Sequence, residues 1–571
     1  MSLLILDRFF KLLVYSSIFN CFIFPVAAQT PLLPRAEPDP LPQLLPPLSP
    51  PQQQIPQPLE IPGQIVVKQF KVVGSTVFSR EELAEVLQPF QNRPLSFNEL
   101  TEAPRAIADL YAQKGYITSG AFIPLQVIEN DTVIIQVVEG TIESLEITGL
   151  KRLRPGYVRS RIEAATSPIL NQNRLLAALQ LLQLDPLIAN LSAELSAGTN
   201  LGQSILEIEL TENPTMAVTA RLDNLRSPAV GSFRRVADFT HNNLFGFGDR
   251  FNLSFYNTDG SNAIENLSYT FPLNPQNGKI DFKFRLARSE LIQFPNIPFD
   301  LISDYREYGL TYTQPILQSP NRELMLGLNL DRKETESFID GIPVPIILDA
   351  NEQGETRLSV LRFFQELTLR NSRQVFAVRS QFNFGLNSFD VAINQNFDVA
   401  INQNINDFEY PQSNFFSWRN QVQYLRSLNR NLIFLVRSDL QLADRSIFSL
   451  EKFSIGGLDR VRGYRQDAIL ADNGLSASAE LRATLARFPS FDGSLQLIPF
   501  IDFGTVWNNS ESLLTFNTNT IGSVGLALAF NISEDFTARI DWGQPLVGLT
   551  TAGNSLQENG VYFQLEYKRR F

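Results

Sequence analysis

The sequence predicts a chain in two parts: tandem α+β modules, then an all-β transmembrane barrel of about sixteen antiparallel strands. Three observations lead there. Two successive stretches between residues 64 and 213 repeat the order strand, helix, helix, strand, strand. From residue 214 onward, segment after segment alternates apolar and polar residues. The connections between those segments are short on one side and mostly long on the other, as in an outer-membrane barrel.

The chain of 571 residues carries a formal charge of −11, which disfavours nucleic acid as a partner. Residues 1–28 set Arg8 and Lys11 ahead of an apolar run from Leu12 to Phe24 and end in Val26-Ala27-Ala28. This reads as a secretory signal peptide. The single cysteine, Cys21, falls inside it, so the mature chain is expected to have neither disulfides nor a Cys-ligated metal. With His241 as the one histidine, a His cluster is excluded, and neither metal nor cofactor is expected. Residues 29–63 are dominated by proline and read as an extended linker.

Residues 64–140 form the first module. Ile65 to Gly74 alternates as a strand, and Ser79-Arg80-Glu81-Glu82 and Ser96-Phe97-Asn98-Glu99 both match the capping box that opens a helix. Pro104 predicts a late start or a kink in the second helix. TSGAFIPLQV (118–127) and TVIIQVVEG (132–140) read as its last two strands. Residues 141–213 repeat the order with TIESLEITGL, a helix around Tyr157 to Ala164, another bearing Leu175, Leu179 and Leu182, then LIANLSAELS and GQSILEIELTE.

Residues 214–571 form the barrel. In KIDFKFRL (279–286), Ile280, Phe282, Phe284 and Leu286 share one face, and Asp281, Lys283 and Arg285 the other. Short turns are expected at 243–249, 272–278, 371–373, 427–429 and 532–534. Long connections are expected near 289–304, 332–356, 388–413, 442–473 and 542–559. The connection near 388–413 holds FDVAINQN twice, at 389–396 and 397–404, as a loop tolerant of insertion can. No run after the signal is long and apolar enough for a membrane helix, so strands must do the crossing. His241 is expected on the wall.

The connection near 442–473, sixth on the outer side in strand order, contains GGLDRVRGYRQD (456–467). In SLQLIPFIDFGTVW, Leu495, Leu497, Ile501 and Phe503 face lipid, which turns Phe500, Asp502 and Gly504 inward. An inward carboxylate needs a partner, and a guanidinium can hold it in bidentate fashion. The loop is therefore expected to fold back and set Arg462 on Asp502, with Gly456, Gly457 and Gly463 allowing the tight backbone. Glu480, Arg482, Arg437 and Asp439 are read as polar residues that keep the lumen wet.

On these residues the chain resembles the two-partner secretion transporters of the ShlB/FhaC/HecB family, in the superfamily of POTRA-plus-barrel proteins that includes BamA. Val461-Arg462-Gly463-Tyr464 matches that superfamily's sixth-loop motif, and Phe500, Asp502 and Gly504 match its Phe-x-Asp-x-Gly pattern on strand thirteen. GYITSGAFIPLQ (115–126) is similar to the family's first-POTRA signature, and the terminal Phe571 resembles the signal read by the barrel assembly machinery. The resemblance implies an outer-membrane translocator whose periplasmic POTRA domains bind a secreted, β-rich partner polypeptide of haemolysin or adhesin type. It also implies contact with outer-membrane lipid, and a loop anchor that gates without bond-making chemistry. The prolines of 29–63 depart from the plug helix that relatives carry ahead of the linker. A BamA-type insertase and a passive porin are the alternatives; an enzyme is not expected, because no nucleophile–base pair is visible.

Overall fold

The computed structural model describes residues 64–293, 299–347, 349–387, 411–510, 518–549 and 553–571. The expected signal peptide with Cys21, the proline-rich linker and the duplicated FDVAINQN lie outside them. Two compact units divide the described chain, with the boundary between Asn213 and Pro214.

In the first unit each module packs two helices on a three-stranded mixed sheet. The first sheet orders Gln69–Val73, Thr132–Val138 and Gly120–Phe122, with the outer two strands parallel and antiparallel to the middle one. The second orders Thr141–Thr148, Gln203–Glu212 and Ile188–Ala197 in the same sense. Leu83, Leu87, Leu100, Ile107 and Tyr111 fill the first core with Val133, Ile135 and Val137. Leu175, Leu179 and Leu182 fill the second with Leu206, Ile208 and Leu210.

One device closes both modules. The sheet strand Gln69–Val73 runs into Gly74 and Thr141–Thr148 runs into Gly149, both at positive φ (89° and 83°), where a Cβ would strike the backbone oxygen of the facing last strand. A carboxylate at the end of that last strand then collects the amides of the turn. Glu139 accepts from Thr76 N, Thr76 Oγ1, Val77 N and the Tyr111 hydroxyl, and Glu212 accepts from the amides of Lys151, Arg152 and Leu153.

Three expectations are corrected here. The strand at Ile65 to Gly74 is two strands with different partners: Gln64–Val66 pairs with Pro94–Ser96, and Gln69–Val73 joins the main sheet. Pro104 does not delay its helix, which runs Phe97–Gln113 from a complete capping box at Ser96, so the helix starts ahead of the proline. Of TSGAFIPLQV only Gly120–Phe122 is strand. Pro124 has no amide to donate, and the Gln126 side chain takes both the N–H and the C=O of Ile134 that a longer strand would have used.

In the second unit sixteen antiparallel strands close a barrel, with the two-residue Ile342–Pro343 beside strand seven. The first strand, Met216–Asp223, pairs with the last, Val561–Arg570, and backbone bonds between Met216 and Phe571 extend that seam. Phe282, Ile501, Ile540, Trp542 and Tyr567 are exposed on the outer face, as a lipid-facing wall requires. Among the described residues no helix is long and apolar enough to cross a membrane.

Strands six and seven, Leu301–Ser319 and Arg322–Ile339, span 19 and 18 residues, well past the roughly ten that cross a bilayer. Their ladder continues to Leu301↔Ile339, so the connection expected at 332–356 shrinks to 340–354. One outer connection, Thr258–Gly260, is short, against the general asymmetry.

Burial alone would raise the Glu139 and Glu212 carboxyls, but the donated hydrogen bonds hold both below the usual carboxylate range. Their contribution is thus complete above the unfolded value of about 4.3 and is lost as pH falls through the folded values. Urea melts of the 64–213 unit are expected to show a midpoint that holds from pH 7 to about 5 and drops below. Glu139→Gln and Glu212→Gln should each lower neutral-pH stability by roughly 1–3 kcal/mol and flatten that drop.

Candidate functional site

Strands twelve (Asn473–Phe488), thirteen (Gly493–Trp507) and fifteen (Phe536–Pro545) place Ser478, Glu480, Asp502 and Asp541 on the inner wall. The alternation of each strand sets this: Ile501 and Phe503 point out, so Phe500, Asp502 and Gly504 point in. Between strands eleven (Leu432–Ala443) and twelve, the connection 444–472 folds back into the lumen. It carries a short 3₁₀ turn, Ser449–Glu451, and a two-stranded hairpin, Phe453–Ile455 with Ile469–Ala471.

The Arg462 side chain, 1% exposed, ends at the wall. Its Nε and Nη2 donate to the two carboxylate oxygens of Asp502 at 2.7 and 2.8 Å, and its backbone N–H donates to the same group at 3.0 Å. Nη1 reaches Glu480 at 2.9 Å and Asp541 at 3.3 Å, and Nη2 reaches Ser478 Oγ at 3.1 Å. The guanidinium lies 3.4 Å over the Phe500 ring. Every edge of the cation is met by an acceptor and one face by a π system, which is what a buried guanidinium requires.

The rest of the motif fits around this contact. Val461 packs with Ile455, Val506 and Ile521 in a small apolar cluster. A Cβ on Gly504 would stand 2.8 Å from the Val461 side chain, and one on Gly543 would stand 2.7 Å from the Gly463 nitrogen. At Gly543 the loop backbone therefore meets the wall backbone. The Tyr464 hydroxyl donates to Gly522 O at 2.8 Å, Gly463 N donates to the Tyr562 hydroxyl at 3.1 Å, and that hydroxyl donates to Tyr464 O.

Sequence reasoning paired Arg462 with Asp502 but missed Ser478, Asp541 and Tyr562. Asp541 had a legible signal, since DWG at 541–543 is another inward carboxylate on an alternating strand. Glu480, Arg482, Arg437 and Asp439 point inward and are tied into ion pairs. Arg437 and Arg482 bind Glu480 at 2.8 and 2.9 Å beside Arg462, and Asp439 is held by Arg419 at 2.6 Å and by Arg460 at 3.4 Å. In so narrow an interior, opposite charges on neighbouring strands satisfy one another. His241 is buried on the second strand, and Phe571 is exposed just past the last one.

A second hold on the loop was not foreseen. The Glu451 carboxylate takes Lys333 Nζ at 2.7 Å and Arg362 Nη2 at 2.8 Å, from strands seven and eight, and all three residues are buried. Asp349 accepts from Ser449 N and Oγ at 2.8 and 2.9 Å.

A closed sixteen-stranded barrel preceded by a POTRA-type region is the architecture of outer-membrane transporters that secrete partner proteins, and the comparisons place this chain among them. The chain belongs to the haemolysin secretion/activation protein ShlB/FhaC/HecB family, whose model matches residues 202–529; the ShlB-type POTRA domain matches residues 65–140. The heme/hemopexin transporter protein HuxB of Haemophilus influenzae is 24% identical over 493 residues, 82% of this chain and 80% of HuxB. The outer membrane transporter CdiB of Escherichia coli is 22% identical, covering 84% of this chain and 79% of CdiB. Among solved structures, Escherichia coli CdiB superposes with a TM-score of 0.67 over 91% of this chain and 93% of that one, at 18% identity. CdiB from Acinetobacter baumannii gives 0.61 over 90% and 91%, at 15%.

Asp502→Ala strands the buried guanidinium without its main acceptor, a loss of roughly 3–5 kcal/mol. The expected result is a loop that trypsin cuts near Arg460, Arg462 or Arg465 in intact outer membranes, where the wild type resists. Arg462→Lys is expected to restore only part of that protection, because an ammonium cannot reproduce the planar fork.

Proposed function

We propose that this transporter exports a large β-rich polypeptide from the periplasm to the cell surface, with residues 64–140 and 141–213 acting as paired periplasmic POTRA domains. The observation that carries the reading is the buried Arg462 clasp: a guanidinium with five polar contacts and a stacked ring, backed by one backbone bond to Asp502, holds a covalent part of the chain inside the lumen. A passive porin has no need of a constriction that must yield. A polypeptide channel has, because a wide lumen left open would leak solutes between export events.

In this reading the unfolded partner first pairs with free sheet edges of the POTRA modules. Main-chain hydrogen bonding of that kind reads backbone more than sequence and tolerates a long moving chain. Phe571 and the lipid-facing last strand serve recognition by the assembly machinery before any transport. The clasp then acts as a conformational control: its contacts break and reform, and no covalent bond changes. Folding of the partner outside supplies the drive. The barrel-insertase alternative ranks behind, since the family model and the transporter relatives favour secretion of a partner.

Arg462→Ala is expected to leave barrel abundance and heat-modifiable mobility normal. Release of one large polypeptide into the medium should fall by at least about tenfold, the factor that 1.4 kcal/mol yields. Comparison of secreted proteins between the two strains reads this out. Wild-type release from a normally inserted variant would remove the clasp from the mechanism, and loss of many unrelated porins would point to the insertase instead.

A further inference from the structure

The turn Ser449–Glu451 touches the barrel on opposite sides in two chemically different ways. Toward strands seven and eight, Glu451 is fixed by Lys333 and Arg362, and Gln441 of strand eleven donates to the Glu451 carbonyl at 2.9 Å. Toward strands two to six it presents Leu450, 3% exposed, in a cluster with Val236, Tyr256, Ala263, Ala287 and Tyr305. Each of these five comes from a different consecutive strand, and all are buried. They make an apolar strip on the inner wall. A polar cavity lined by Lys283, Arg285, Glu307 and Arg419 reaches Leu450.

We infer that Leu450 is the residue that shuts the lumen, and that the seam between Leu450 and the strip on strands two to six is where the pore opens and the exported chain passes. The asymmetry of the two contacts carries this. Separating Leu450 from the strip breaks a single non-directional apolar contact. Separating the other side strands a buried carboxylate and two buried cations, which is far costlier. The seam therefore parts first, while Glu451 keeps the turn on strands seven and eight as a fixed pivot. The ligand class follows from the strip: an extended polypeptide with apolar side chains at alternate positions can replace Leu450 on it, with backbone and polar side chains toward the wet cavity. This rests on the export reading above and adds the path and the residue that closes it.

Purified full-length protein in planar bilayers tests closure directly, with potassium chloride as the probe. Leu450→Ala is expected to raise basal conductance severalfold, while the Arg462 clasp stays in place. Path is tested by labelling Ala287→Cys on the strip and Gln381→Cys on strand nine, each made in the chain lacking residues 1–28, which otherwise has no cysteine. Adding Leu450→Ala should speed maleimide reaction at Ala287→Cys by about tenfold or more, the effect of 1.4 kcal/mol, and leave Gln381→Cys unchanged. A synthetic peptide of alternating valine and asparagine should slow labelling at Ala287→Cys only. Unchanged conductance in Leu450→Ala, equal acceleration at both positions, or peptide protection confined to Gln381→Cys would each overturn the inference. These readouts need no natural partner, so they can fail while Arg462→Ala still abolishes export, and the reverse.

Discussion

A charge buried inside a protein must find its counter-charge, and in this barrel that constraint holds a loop across the lumen. Asp502 points inward because strand thirteen alternates, and nothing on its own strand can neutralise it. The loop brings Arg462 to it, and the guanidinium in turn draws Glu480, Asp541 and Ser478 from strands twelve and fifteen. Four wall residues from three strands thus converge on one side chain. Removing that side chain leaves Asp502 without its cation, while Glu480 keeps Arg437 and Arg482 and Asp541 keeps Arg539, so the loss falls on Asp502.

The same rule operates at the root of the loop with the signs exchanged. There the wall supplies the cations, Lys333 and Arg362, and the loop supplies the carboxylate, Glu451. A strut fixed at both ends by ion pairs resists sliding, yet it has one soft edge where Leu450 meets an apolar strip. Stiffness along one wall and softness along the other gives a constriction a direction in which to open.

The modules ahead of the barrel show how a shared pattern can survive with little shared sequence. What recurs is a glycine that turns the chain where no Cβ fits and a carboxylate that collects the amides of that turn. Gly74 with Glu139 and Gly149 with Glu212 are the same solution placed twice. The hydrophobic faces of the helices around them need only bulk and spacing, so their residues can differ.

The sequence by itself determined whatever depends on period and on local chemistry. Alternation assigned inner and outer faces to Asp502 and Ile501, capping boxes started helices at Ser79 and Ser96, and the asymmetry of connections announced a closed barrel. The partner of Asp502 was legible because Arg462, alone among Arg460, Arg462 and Arg465, stands in the Val-Arg-Gly-Tyr motif of the resembled superfamily. Tertiary structure decided what depends on which strands become neighbours through closure and on how far a loop descends. Glu451 with Lys333 lies 118 positions apart in the chain, and neither residue carries a local mark of the other. Leu450 reads as one more apolar loop residue until five strands bring Val236, Tyr256, Ala263, Ala287 and Tyr305 beside it. Pairing across a closed sheet is a property of the whole cylinder, and no window of sequence contains it.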